Sequence, residues 1–444
     1  MRALRDPDFI KWLYFGMHIK RWLVLLLLGV AIMGLGLSYM LREVYVSYTF
    51  PGFVYYVTLQ FLPRYARGAL FIGGSMGLML FAVWKLNSSL LSAFIRPGRE
   101  ESLVNIIYNY RYLSRGPRIV AIGGGTGLST LLRGLKEHTA NLTAVVTVAD
   151  DGGSSGRLRR ELGVLPPGDV RNCIAALADA EPLMTRLFQY RFSEGSGLEG
   201  HSFGNLFIVA MSGVTGSFEE AVRTTSRVLA VRGQILPSTL ANVTLSARTE
   251  DEETIHGESK ITERGGGILE VYLQPGGVQA NPEVIRAILN ADLVVVGPGS
   301  LFTSDLPNLL VDGIRQAITV SSALKVYVCN VATQHGETDS FTVSDHFRAL
   351  TRHTGRNLFD YVVANSNVRE PLPDAWNSEP VRVDDALALD GARVLTVDVV
   401  SVENRYHHDP KKLADTLIRL YYQRPETEVP VEEPQAENAI AVKM

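Results

Sequence analysis

Cysteine is scarce in this chain: there are two in 444 residues, Cys173 and Cys329. They lie far apart in apolar sequence, which excludes a disulfide framework and suits a reducing compartment. Each reads as a small buried hydrophobe rather than a nucleophile. A basic excess is also lacking. The formal net charge is −3, so the electrostatic footprint that nucleic acid demands is missing and nucleic acid is not an expected partner. No internal repeat is visible. No Ser-His-Asp arrangement can be argued, and no proton-relay constellation of an NAD-binding oxidoreductase is evident. Between its two ends the chain is long enough for one large α/β domain, or two small ones.

What the sequence does have is glycine in ordered places. Arg118–Arg160 holds the pattern around which the rest is built. The apolar run Ile119–Ile122 reads as a buried parallel strand. It ends in Gly123-Gly124-Gly125-Thr126-Gly127. An amphipathic helix follows, with Leu128, Leu131, Leu132 and Leu135 on one face. A second apolar run, Ala144–Ala149, ends in Asp150-Asp151 and enters a second glycine turn, Gly152-Gly153-Ser154-Ser155-Gly156. Glycine lets a phosphate approach the backbone because no Cβ intervenes. The N–H groups of the following helix start attract the anion, and an acid ending the second strand can take a ribose hydroxyl. The spacing departs from the G-x-G-x-x-G of dinucleotide enzymes. The pattern therefore points to nucleotide binding other than by an ordinary NAD enzyme, with a tight βα turn that binds nothing as the alternative.

Further along, Arg157, Arg159 and Arg160 either pair with phosphate oxygens or form a solvated helix face. Asp169 either caps the helix Val170–Ala178 or contacts a ligand, and Asn172 stands near the same helix start. Gly200-His201-Ser202-Phe203-Gly204-Asn205 opens an apolar helix, Leu206–Met211, making His201, Ser202 and Asn205 candidate ligand residues. Phe218–Leu229 reads as a structural amphipathic helix. A β-rich part begins at Ile235, and within it Glu258 and Lys260 face either the surface or the cleft. Ala291–Val296 is another buried strand, ending in Gly297-Pro298-Gly299-Ser300-Leu301. Leu324–Val331 is one more, followed by the polar run Thr333-Gln334-His335-Gly336-Glu337-Thr338-Asp339. Ligands in open α/β sheets bind outside the strands' C-terminal ends, where strand order reverses. Three glycine turns after three apolar strands thus converge on one cleft. His407-His408-Asp409-Pro410 reads as the start of the last helix, Lys411–Tyr422. The expected fold class is α/β: a Rossmann-like, mostly parallel sheet with helices on both faces, preceded by two transmembrane helices.

Those helices are expected from the N-terminal part. Trp22–Met40 and Gly68–Trp84 run nineteen and seventeen residues without a charge, and basic residues flank them on the outside of the pair. The expected order is a cytoplasmic N-terminus over 1–21, membrane helices over 22–40 and 68–84, and an extracytoplasmic connection over 41–67. A linker over 85–116 follows, packed partly on the domain through Val104, Ile106, Ile107, Tyr108, Tyr110 and Tyr112. The ligand-binding domain spans 117–423 and a disordered acidic tail 424–444. The expectation is a two-pass membrane protein with its main domain in the cytoplasm and the lipid bilayer as a partner.

The stretches GGGTG, TVADDGGSSGRLR, LPPGDVRNCIAAL, HSFGNL, GESKI and GPGSL, and the polar run Thr333–Asp339, resemble the gluconeogenesis-factor family (YvcK-like). That family belongs to the superfamily of 2-phospho-L-lactate transferase (CofD-like). The resemblance covers about Gly116–Tyr422 and not the N-terminal hundred residues. It implies a regulator tied to growth on non-sugar carbon sources, cell shape and cell-wall precursor supply, with a UDP-sugar or other nucleotide as ligand. The implied ligand residues are Gly123, Gly124, Gly125, Thr126, Gly127, Asp150, Asp151, Gly152, Gly153, Asp169, Asn172, His201, Ser202, Asn205, Gly297, Pro298, Gly299, Ser300, Thr333 and Gln334. The alternative is a phosphotransferase with Mg²⁺ held by Asp150 and Asp151. The transferase branch carries a His-Gly pair and a Pro-Asp-Leu-Asp run where this chain has Gly152-Gly153-Ser154 and Pro167-Gly168-Asp169-Val170. A homodimer is left open.

Overall fold

A computed structural model describes residues 19–94, 112–179, 182–368, 372–373, 377–384 and 391–423. The chain divides into two units, Met1–Arg111 and Tyr112–Met444.

Among the described residues ten strands lie in the second unit: β1 Ile119–Gly123, β2 Leu142–Val146, β3 Gln234–Pro237, β4 Thr244–Thr249, β5 Thr254–His256, β6 Ile268–Gln274, β7 Leu293–Val296, β8 Leu324–Val328, β9 Tyr361–Asn365 and β10 Arg393–Val397. Seven form one sheet in the order β3-β2-β1-β7-β8-β9-β10. Every pairing in it is parallel. β1 and β7 are buried along their whole length, as continuous apolar runs must be when both faces of a sheet are covered. The order runs outward from β1 in one direction and from β7 in the other, so it reverses between them. Crossovers between parallel strands are right-handed, so the helices of the two halves lie on opposite faces. Helix Gly125–Leu135 packs on Gly168–Leu177 and Pro410–Tyr422, while Pro282–Leu289 packs on Asp312–Val320. The expected face of Leu128, Leu131, Leu132 and Leu135 is fully buried. Gly134 permits that packing, since a Cβ there would run into the Pro410 carbonyl.

The β-rich part divides. β3 joins the large sheet, and β5-β4-β6 form a small antiparallel sheet with a register shift at Arg248/Thr249. Helix Glu258–Arg264 rests on β4 and β5. β2 ends at Val146, short of the expected Ala149, because the Thr147 hydroxyl accepts from the Ala149 N–H at 3.3 Å and turns the chain. Both cysteines are buried, and burial pushes both thiols up.

The first unit holds helices Ile19–Ser47, Phe53–Val57 and Arg64–Phe94. Among the described residues no helix is long and apolar enough to cross a membrane. The expected pair of transmembrane helices, and with it the two-pass membrane placement, is corrected on that finding. The expectations for residues 1–18, for Val104, Ile106, Ile107, Tyr108 and Tyr110 of the linker, and for the 424–444 tail lie outside the described residues.

Candidate functional site

The reversal of strand order between β1 and β7 opens a cleft at their C-terminal ends. Two of the three glycine turns meet there. β1 passes into Gly124 in extended backbone, and Gly125, with φ +63°, starts the helix Gly125–Leu135. That left-handed angle costs a side-chain-bearing residue roughly 1–2 kcal/mol. β7 passes into Gly297-Pro298-Gly299, with Gly297 at φ +79°. The turns touch: a Cβ on Gly127 would strike the Pro298 carbonyl. The first N–H groups of the helix have no partner within it.

The cavity has a volume of about 310 Å³. Of the residues expected at a ligand, it is lined by Gly124, Gly125, Thr126, Gly127, Asp169, Asn172, Pro298, Gly299, Ser300 and Gln334. Gly123 and Gly297 stand one residue behind the wall. Glu258, left open between surface and cleft, is part of the lining, as are Thr130, Asn330, Tyr406, His407 and His408.

Hydrogen bonds from outside hold the second wall. Gln334 Nε2 donates to Ser300 Oγ at 2.6 Å, and Asn330 Nδ2 to the Gly299 carbonyl at 2.7 Å. After Ser300 the chain makes a π-turn, Leu301–Asp305, in which the N–H groups of Ser304 and Asp305 both donate to the Ser300 carbonyl. Asn308 Nδ2 ties this turn to β1, donating to the Gly123 carbonyl at 3.0 Å and to that of Ser304 at 2.8 Å. The Pro307-Asn308 pair is thus a staple between the turns. The carboxylate of Asp305, fully buried, lies under them with no hydrogen-bond partner among the described residues. Burial and then Glu337 hold its carboxyl well above the usual carboxylate range.

An acid corner borders the first turn. Asp169 sits in the first turn of helix Gly168–Leu177, whose N-cap is Pro167. It is no cap for its own helix; its carboxylate lies instead against the first glycine turn, where a Cβ on Gly124 would stand 2.6 Å from Oδ2. Burial, and then Asp150, push it up to about 7, against the nearby Gly125 N–H and Arg171. Glu258 hydrogen-bonds Asp150 and is pushed up to about 9 by burial, then by Asp150 and Asp169. Asp150 also accepts from the Gly152 N–H at 2.9 Å. Asp151 turns away: its carboxylate packs on Gly257 and accepts from the Ser259 N–H at 2.9 Å. The two neighbouring aspartates therefore serve different elements. Among the described residues no group of three His, Cys, Asp or Glu side chains is arranged to hold a metal ion.

The remaining expected residues lie away from the cleft lining. His201 Nδ1 meets Ser154 Oγ at 2.9 Å, and Asn205 Nδ2 donates to the same oxygen at 3.1 Å. Ser202 caps its helix, accepting from the Asn205 N–H. This cluster buttresses the second glycine turn, Gly152-Gly153 included. Burial, then Arg157, lower the His201 pKa. The arginines bind carbonyls: Arg157 that of Glu199 at 2.7 Å, Arg159 that of Val243, Arg160 that of Asp151 at 3.2 Å. Thr333 Oγ1 accepts from the Glu379 N–H at 2.9 Å, pinning the loop that carries Gln334. Asp409 caps the last helix as expected, accepting from the Lys412 N–H. Its neighbour His408, read only as part of that helix start, reaches the Cys329 carbonyl at 3.2 Å and is lowered to about 4 by burial.

The sequence pattern of the family 2-phospho-L-lactate transferase CofD matches residues 119–400, which include the large sheet and all three glycine turns. The gluconeogenesis factor of Bacillus subtilis is 47% identical over 317 residues, 69% of this chain and 99% of its own. The chain belongs to the gluconeogenesis-factor family, with a CofD-type domain. A member from Nostoc sp. is 48% identical over 94% of this chain and 93% of its own. The crystal structure of a UPF0052-family protein from Bacillus halodurans superposes with a TM-score of 0.65 at 45% identity, covering 68% of this chain and 99% of that one. Tyr406, His407 and His408 lie beyond the segment matched by the family pattern.

Proposed function

We propose that the cleft between β1 and β7 binds a nucleoside-diphosphate sugar, a UDP-sugar first of all. In this reading the protein reports the level of that ligand, linking carbon metabolism to cell-wall precursor supply and cell shape. The observation that carries the reading is the contact of two glycine turns, Gly124–Gly127 and Gly297–Gly299, at the reversal of strand order. Backbone N–H groups at a helix start and walls without Cβ atoms suit a diphosphate. A cavity of about 310 Å³ is of small-molecule size. A regulator rather than an enzyme is favoured because no nucleophile–base pair lines the cleft among the described residues. Ser300 is engaged with Gln334, and His408 is held neutral against a carbonyl.

The test is thermal unfolding of the full chain with UDP-sugars, UDP, uridine, GDP, ATP and NAD, each alone. A ligand at a hundredfold its dissociation constant raises stability by ~2.7 kcal/mol. The reading expects the largest shift with a UDP-sugar, and recovery of that ligand intact after hours. A shift with NAD alone contradicts it. A second reading, a phosphotransferase, is favoured by the crowding of Asp150, Asp169 and Glu258, which a divalent cation would neutralise. Product that forms only with Mg²⁺ and vanishes with a chelator establishes that reading instead.

A further inference from the structure

We propose that Asp169 occupies the phosphate seat of the cleft from within, and so sets the affinity for anionic ligands by competing for the same place on the glycine turn. The inference rests on the reading of the cleft as a diphosphate site.

A Cβ built on Gly124 would stand 2.6 Å from Asp169 Oδ2, so the carboxylate lies directly on the glycine turn. It lines the cleft beside Gly125, whose N–H is the first of helix Gly125–Leu135. That donor is one of those an incoming phosphate would use, and a carboxylate oxygen is an equivalent acceptor. Asp169 does not belong to the turn it fills. It is carried by helix Gly168–Leu177, which packs along helix Gly125–Leu135, so helix packing fixes the carboxylate over the seat. Its surroundings are acidic: Asp150 approaches from the end of β2, and Glu258, from the helix after β5, is held protonated there. Arg171 lies on the same helix, and its Nη2 donates to Asn172 Oδ1 at 2.8 Å. A phosphate entering this seat meets an acceptor already in place and a like charge beside it. Ligand binding therefore requires Asp169 to give up its place beside Gly125. A nucleoside without phosphate does not compete for that place and is indifferent to Asp169.

The experiment is titration calorimetry of the full chain with UDP, inorganic pyrophosphate and uridine, with a chelator present throughout. Wild type, Asp169→Asn and Asp169→Ala are compared, their folding checked by circular dichroism. The expected result is a tenfold or greater gain in affinity for UDP and pyrophosphate in both variants, with uridine unchanged. Asp169→Asn keeps the shape of the side chain and carries the test should Asp169→Ala fail to fold. UDP binding by wild type with no gain, or a loss, in folded Asp169→Asn overturns the inference and leaves the nucleotide site standing. No binding of UDP, pyrophosphate or uridine by any of the three proteins overturns the nucleotide reading and this inference together.

Discussion

Gly127 sets the width of the cleft. Its missing Cβ is what allows the first turn to rest on the Pro298 carbonyl. Gly127→Ala is expected to pry the two turns apart, costing ~1–3 kcal/mol as overpacking does and weakening UDP-sugar binding at least tenfold; thermal unfolding and calorimetry measure the two effects. Gly125→Ala acts differently. Its nearest neighbour is Ser304 Oγ at 3.8 Å, so the expected loss of ~1–2 kcal/mol comes from the left-handed backbone alone. Gly124 is a poor probe of binding, because a side chain there meets Asp169 and Thr147 as well as any ligand. Asp169 also carries a pH signature. Its folded pKa lies above the unfolded one, so its contribution is fully present below about pH 4 and is lost as pH rises to about 7. Wild type is expected to lose stability over that window, and Asp169→Asn to lose less; equal slopes in the two would contradict the buried carboxyl. The glycines were legible because backbone freedom is written in the residue itself. The approach of Asp169 to the Gly124 turn was not, since nothing local in either segment announces a partner on another helix.

At the scale of the element, the strand-turn-helix units followed from apolar runs and their glycine ends. β7 and the helices Phe218–Val228 and Pro410–Tyr422 fall within a residue or two of where the pattern places them. The polar clusters at helix starts were harder to read. His201, Ser202 and Asn205 have the composition of a ligand site and instead form a cap and a buttress to Ser154. The same residue types serve both purposes, and only their distance from the cleft separates them. Ser202→Ala is therefore expected to cost about 1 kcal/mol as the loss of an N-cap, with UDP-sugar affinity unchanged within twofold. A tenfold loss of affinity without loss of stability would return this cluster to the ligand. Asn308 shows the converse: a residue that reads as part of a loop proves to bind two glycine turns together across the sheet.

At the scale of the whole molecule, the parallel sheet was legible because its strands are buried on both faces and so lose alternation. The small antiparallel sheet was visible only as a β-rich part, since pairing is a tertiary choice. The N-terminal part was misread. Uncharged length was taken as a span, whereas among the described residues no helix is long and apolar enough to cross a membrane. The central claim is that a diphosphate ligand sits between the first and third glycine turns. Hydrogen exchange of the full chain, with and without a saturating UDP-sugar, tests it most directly. The account predicts slowed exchange in peptides covering Gly124–Thr130 and Gly299–Ser304, with little change in those covering His201–Asn205. Slowed exchange confined to other segments, with binding independently demonstrated, would contradict it.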